Sequence, residues 1–161
     1  MNDTLHYLLD TEMCIYLLNG HPRVKARVTQ VGIAALAVAI RTVGELYLGA
    51  YNSGRMGANV IRVRAFLSPP GPQVPSTDEP AAEQFGRLKA ILRREDRPIG
   101  DIDLFIAGVA LRDGLTVVTN NTGHFEHIPE LPLEKWLEPP QTSSEQAFSL
   151  SAPLPLAKSQ L

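Results

Sequence analysis

The chain has 161 residues, 44% of them hydrophobic and 20% charged, which is typical of one globular domain with a substantial core. Its formal net charge of −2 excludes a global basic field, so a nucleic-acid substrate would need metal ions or a local basic patch. The single cysteine, Cys14, excludes an internal disulfide, and no apolar run reaches membrane-spanning length. We therefore expect a cytoplasmic protein that does not enter the membrane.

Apolar patterning predicts strands that alternate with helices along the chain. The predicted strands cover residues 6–9, 31–40, 114–121, the last of these with polar residues at its end, and 133–137. The predicted helices cover residues 13–18, a segment that starts at Thr42, 59–67, 81–94 and 102–111. A proline-rich break over 68–77 separates two of these helices. This order predicts an α/β fold with a largely parallel sheet and helices on both of its faces.

The domain is expected to cover residues 1–137. From 138 to 161 the chain is rich in proline and serine, and this composition predicts a disordered tail. Within the domain, the binding crevice of a parallel sheet lies beyond the carboxyl ends of its strands. Asp10, the segment 42–45 and the segment 119–121 all lie at or just beyond such ends of predicted strands. The polar side chains at these three positions are therefore candidate site residues.

Each acidic residue in these regions has a purely structural explanation. Asp10 is suited to capping the first helix, and the "TVGE" segment that ends at Glu45 matches a capping box, with its threonine as the cap. Asp101 could cap the helix that starts at the next residue, and Asp103 would complement the dipole of that helix. The 100° rotation per residue separates Asp101 and Asp103 by about 160°, so spacing does not decide which one faces a site.

Taken together, the acids favour a cation site. Three carboxylates at one end of a sheet repel each other unless a cation lies between them, and Mg²⁺ or Mn²⁺ prefers such oxygen ligands. No cysteine or histidine cluster has zinc spacing, and the glycine-rich motifs of phosphate loops, dinucleotide sites and serine hydrolases are absent from the sequence.

Several segments in a fixed order resemble the PIN-domain ribonucleases, specifically the VapC toxins of type II toxin–antitoxin pairs. These segments are "YLLDTEMCIYLLNG", "TVGELYLGAYNS", "FGRLKAILRREDRPIGDIDLFIAGVALRDGLTVVTNNTGHFEHIPEL" and "LEKW", and they cover about residues 7–136. The resemblance implies a compact three-layer α/β/α sandwich with a mostly parallel central sheet. It also implies an Mg²⁺- or Mn²⁺-dependent endoribonuclease, a small antitoxin partner and pairing into a homodimer.

The resemblance carries three catalytic acids onto this chain: Asp10 from "LLDT", Glu45 from "ELYLGA" and Asp103, the third residue after the glycine of "PIG". It makes Asp10 and Asp103 the metal ligands. Pocket or second-site roles are expected for five further residues, which are Thr11, Asp101, Thr119, Asn121 and His124.

The chain departs from the family pattern at a fourth acid. Asn121 and His124 stand at the two positions where relatives usually carry it, so a second metal would be held less strongly, through an amide, an imidazole or water. Asp101 falls on a variable position of the pattern and is either a helix cap or an acid recruited in compensation.

Two other functions compete with the nuclease. A PIN-like fold without a fourth acid could be a binding module that has lost catalysis. A haloacid-dehalogenase-like phosphatase would explain "LLDTE" and "IGDID". That second class usually has aspartate where Glu12 stands and threonine or valine where Cys14 stands, so the phosphatase fits the sequence less well.

Overall fold

The computed structural model of the chain describes residues 5–138 and has a four-stranded, all-parallel sheet at its centre. The strands are β1 (Tyr7–Leu9), β2 (Leu36–Val38), β3 (Thr116–Val118) and β4 (Leu133–Glu134). Their spatial order is β2-β1-β3-β4, and Tyr7 of β1 is in register with Leu36 on one side and Thr116 on the other. The predicted parallel α/β sheet is confirmed.

Seven α-helices connect these strands within the described part of the chain. They are α1 (Thr11–Leu18), α2 (Pro22–Val31), α3 (Ile40–Tyr51), α4 (Met56–Leu67), α5 (Glu79–Arg94), α6 (Asp101–Asp113) and α7 (Thr122–Phe125). None of the helices within residues 5–138 combines the length and the apolar character needed to cross a bilayer.

Successive strand residues point to opposite faces of the sheet. Both faces are buried. Leu8 and Val117 face one core, which they share with α5 and α6. Leu9 and Val118 face the other core, which contains residues of α1, α3 and α4 and the fully buried Cys14. Helices therefore cover both faces of the sheet, as the three-layer prediction requires.

The strand predicted over residues 31–40 is wrong in its length. Val31 is the last residue of α2, residues 33–35 form a 3₁₀ turn, and only Leu36–Val38 belongs to the sheet. Gly32, at φ +87°, separates the helix from the turn in a conformation that favours glycine. Val31 packs against the same core as β2, so one apolar run continues through three kinds of structure and its pattern alone does not separate them.

Two of the predicted helix caps are also wrong. The N-cap of α3 is Ala39, and Thr42 lies inside that helix, fully buried, with its hydroxyl 3.3 Å from the Thr11 hydroxyl. Gly100 is the N-cap of α6, which makes Asp101 the first helical residue instead of the cap. The cap predicted at Asp10 is confirmed, because its Oδ1 accepts a hydrogen bond from the Met13 N–H at 2.8 Å.

The end of the domain stays a prediction. Leu137 is buried at the edge of the core, and its carbonyl accepts a hydrogen bond from Arg23 of α2 at 2.7 Å. The tail predicted for residues 138–161 lies, apart from Glu138, outside the described residues.

Candidate active site

Asp10 and Thr119 lie side by side at the carboxyl end of the sheet. They directly follow β1 and β3, which are neighbours, and the Asp10 N–H donates to the Val118 carbonyl at 3.1 Å. The Thr119 hydroxyl donates a hydrogen bond to the Asp10 carboxylate and accepts one from the Asn121 N–H at 3.0 Å. Thr119 is fully buried, so this chain of hydrogen bonds holds the Asp10 side chain in place.

Burial raises the pKa of the Asp10 carboxyl from 3.8 to about 6. Hydrogen bonds from Thr119 and from the Met13 backbone partly offset the effect of burial on this pKa, whereas the negative charges of Glu12 and Asp103 raise it further. The electrostatic effect of Asp103 means that the two candidate metal ligands lie within range of each other. A cation bound beside them would lower the free-energy cost of burying the Asp10 charge and would offset the repulsion between the two carboxylates.

A cavity of about 560 Å³ brings together residues from three different helices. Glu45 of α3, Asp103 of α6 and Thr11 of α1 line it, together with the α6 start at Gly100, Asp101 and Ile102. The α3 helix starts directly after β2, and α6 starts after the loop that follows α5, with its first three residues on the cavity wall. Glu45 and Asp103, far apart in the sequence, therefore open onto one space.

His124, an exposed residue of the short helix α7, contacts Asp103. Its Nδ1 lies 2.9 Å from Oδ2 of Asp103, and the amide Nδ2 of Asn121 lies 3.1 Å from that same ring nitrogen. The His124 side chain is 56% exposed, whereas the Asp103 side chain is 26% exposed. Of the two residues that stand in place of a fourth acid, His124 thus contacts Asp103 and Asn121 contacts His124.

Asp101 lines the same cavity and is paired with Lys89. The Lys89 Nζ lies 2.8 Å from Oδ1 of Asp101, whose side chain is 55% exposed. The sequence alone does not indicate this partner, because Lys89 belongs to a different helix, α5, and no spacing rule relates residues on separate helices. The pair places a neutralised acid at the rim of the cavity.

The donor set fits a hard cation chemically, because it is made of carboxylate oxygens. As the side chains stand, however, no group of three or more Asp, Glu, His or Cys residues within 5–138 is arranged to hold a metal ion. One Asp103 oxygen is hydrogen-bonded to His124, and the Asp10 carboxylate is hydrogen-bonded to Thr119. An ion bound through these same oxygens would displace those hydrogen bonds.

Comparison with known proteins identifies the family. The PIN domain profile matches residues 7–131. A relative from Shigella flexneri, named tRNA(fMet)-specific endonuclease VapC, is 33% identical over 132 residues, which cover 82% of this chain and 98% of that protein.

Solved structures agree with this match. The DNA-bound VapBC complex of Salmonella typhimurium contains a chain that superposes with a TM-score of 0.76 at 34% identity, covering 82% of this chain and 98% of that one. VapBC2 of Rickettsia felis, bound to a promoter DNA fragment, gives a TM-score of 0.74 at 28% identity and covers 82% of this chain and 99% of that one. The chain therefore belongs to the PIN domain family, among the VapC proteins.

Proposed function

We propose that this chain is a metal-dependent endoribonuclease that acts as the toxin of a toxin–antitoxin pair. The observation that carries the proposal is the cavity that Glu45 and Asp103 share, with the buried Asp10 close enough to Asp103 for that carboxylate to raise its pKa. These acids come from three separate parts of the chain, and helix capping explains only Asp10 among them.

In this proposal Asp10 and Asp103 hold Mg²⁺ or Mn²⁺, and Glu45 completes the catalytic acids. The cation, when bound, lowers the pKa of water and polarises the phosphodiester. Glu45 orients a water that attacks the phosphorus and takes up the proton of that water. The bond between phosphorus and the 3′-oxygen breaks, and the 3′-oxygen leaves with a proton from solvent, so the products are a 5′-phosphate and a 3′-hydroxyl. Thr119 holds Asp10 in position, and the hydrogen bond between Thr11 and Thr42 fixes the start of α1 against α3.

The substrate and partners follow from the relatives. The Shigella flexneri protein is named as specific for tRNA(fMet), so RNA, and tRNA first, is the proposed substrate class. The similar solved structures are VapBC toxin–antitoxin complexes, which supports a small antitoxin as the protein partner. Pairing with a second copy of the chain and a cytoplasmic location complete the proposal.

A PIN-fold binding module without catalysis is the second candidate. The hydrogen bond from His124 to Asp103 and the lack, within residues 5–138, of a group arranged to hold an ion favour it. The phosphatase alternative is wrong, because the chain belongs to the PIN domain family.

The experiment that separates nuclease from binding module uses the metal-free protein. Protein dialysed against EDTA is mixed with labelled tRNA, and Mg²⁺ or Mn²⁺ is added back. We expect cleavage only after the cation is restored. RNA binding without cleavage at any concentration of either ion would support the binding module instead.

A further inference from the structure

We propose that Arg41 binds a phosphate of the RNA beside the cleavage site, an inference that rests on the proposed ribonuclease function. Arg41 lies in the first turn of α3, four residues before Glu45. Residues four apart on a helix share a face, so Arg41 is one turn away from the cavity on the side to which Glu45 belongs. Its side chain is exposed.

An aromatic stack holds Arg41 at this place. The Arg41 Cζ lies 5.7 Å from the ring centre of Phe105, which is one turn beyond the cavity residues Asp101 and Ile102 on α6. Phe105 in turn stacks on Phe85 of α5, with ring centres 4.1 Å apart and an interplanar angle of 10°. A guanidinium on an aromatic face keeps the N–H groups at its edge available for hydrogen bonds.

Two cationic side chains contact this aromatic stack, and they differ in whether an acid neutralises them. Lys89, at the other end of the aromatic stack, lies 5.4 Å from the Phe85 ring centre and is already paired with Asp101. Arg41 has no carboxylate partner among residues 5–138. A guanidinium without an acid partner is matched in geometry and charge to a phosphate, which it binds through two parallel N–H donors.

An RNA strand needs such a cation here. The cavity is lined by acids that repel phosphates, and the chain as a whole carries a net charge of −2. If the scissile phosphate lies at Glu45 and Asp103, then Arg41, one helical turn from Glu45, is placed to bind a neighbouring phosphate. A carboxylate of a protein partner has similar chemistry, and the test separates the two.

The test measures RNA affinity in a protein that does not cut. The Glu45→Gln variant and the Glu45→Gln/Arg41→Ala double variant are titrated into fluorescein-labelled tRNA(fMet) at several salt concentrations, with anisotropy as the readout. We expect Arg41→Ala to weaken binding by about threefold to tenfold and to reduce the slope of log affinity against log salt by about 0.7, one phosphate contact. Glu45→Gln/Arg41→Lys should recover the slope but only part of the affinity.

The matched control is Glu45→Gln/Arg64→Ala, which removes an exposed arginine of α4 and should change neither quantity. An Arg41→Ala slope equal to that of the parent would assign Arg41 to another contact, such as a protein partner, and overturn this inference while RNA cleavage by the wild type still upheld the ribonuclease. If the wild type neither binds nor cuts RNA, the ribonuclease proposal and this inference fail together.

Discussion

Nδ1 of His124 lies 2.9 Å from Oδ2 of Asp103, so an imidazole engages one oxygen of a candidate metal ligand. Asn121 contacts the same imidazole, and neither residue brings a negative charge to the site. The charge available to a cation therefore comes from Asp10, Glu45 and Asp103. Cation affinity should accordingly be limited by the absence of a fourth carboxylate at position 124.

The first prediction is that His124→Asp strengthens the response to Mg²⁺. The added carboxylate supplies charge and frees the Asp103 oxygen from the imidazole, so the Mg²⁺ concentration for half-maximal cleavage should fall by about tenfold. The control His124→Asn removes the imidazole without adding charge, so it should lower the midpoint by much less than His124→Asp does. Calorimetric titration of Mg²⁺ into both variants gives an independent readout. An unchanged or raised midpoint for His124→Asp would show that position 124 does not face the ion.

The second prediction concerns the pH dependence of folding stability. The pKa of Asp10 is about 6 in the folded protein against an ordinary value of 3.8, so the folded state binds the extra proton between these values. Stability in EDTA should therefore fall as pH rises from about 4 to about 6, by up to about 3 kcal/mol. Asp10→Asn, which keeps the cap on α1, should be more stable than wild type at pH 7.5, and this advantage should vanish near pH 4.

Urea unfolding of both proteins at the two pH values measures this difference. Asp101→Asn is the control, because that side chain is 55% exposed and should show no such gain. Added Mg²⁺ should stabilise the wild type at pH 7.5 but leave Asp10→Asn nearly unchanged. A variant less stable than the wild type at both pH values would refute the buried-charge account of Asp10.

The third prediction separates the two aspartates at the start of α6. Asp101 is paired with Lys89 at the cavity rim, whereas Asp103 lies close enough to Asp10 to affect its pKa. Asp101→Asn should therefore retain cleavage within about threefold of the wild type, because one partly exposed ion pair contributes little. RNA cleavage under identical metal conditions is the measurement. A loss as deep as that of Asp103→Asn would make Asp101 a member of the catalytic set.

The fourth prediction tests the packing of α5 against α6. A Cβ added to Gly108 would lie 2.9 Å from the Ala81 carbonyl oxygen and 3.3 Å from the Phe85 nitrogen, so Gly108→Ala should destabilise the fold by about 1–3 kcal/mol. Gly86 in α5 has no atom within 4 Å of such a Cβ, and Gly86→Ala should stabilise by about 0.5–1 kcal/mol. Thermal unfolding distinguishes the two, and equal effects would contradict the close helix contact.

The sequence was sufficient to predict the presence of the four strands, five of the seven described helices and the cap at Asp10, because these depend on local patterns. The helix α2 was missed although Val24, Val28 and Val31 have helical spacing and pack on one core, and the four-residue α7 was missed as well. The cap predicted at Thr42 was wrong, since a threonine three residues before a glutamate matches a capping box whether it precedes the helix or lies within it. Local pattern is ambiguous there, and tertiary packing decides.

The candidate site was predicted less completely than the fold. The motifs singled out Asp10, Glu45 and Asp103, but not the contacts between side chains of different helices around them. Lys89 of α5 pairs with Asp101 of α6, and Arg41 of α3 lies over Phe105 of the same α6. Such contacts depend on how helices cross, which residue spacing within one helix does not encode.

Cleavage rates test most directly whether Asp10 and Asp103 form the metal-dependent nuclease site. Wild type, Asp10→Asn and Asp103→Asn are incubated in enzyme excess with labelled tRNA(fMet) and with total bacterial RNA, in Mg²⁺ and in Mn²⁺, after circular dichroism has confirmed that each is folded. If the chain is a metal-dependent ribonuclease, we expect the wild type to cut RNA and both variants to be slower by at least about a hundredfold. A wild type that cuts no faster than both variants at any concentration of either ion would contradict this function.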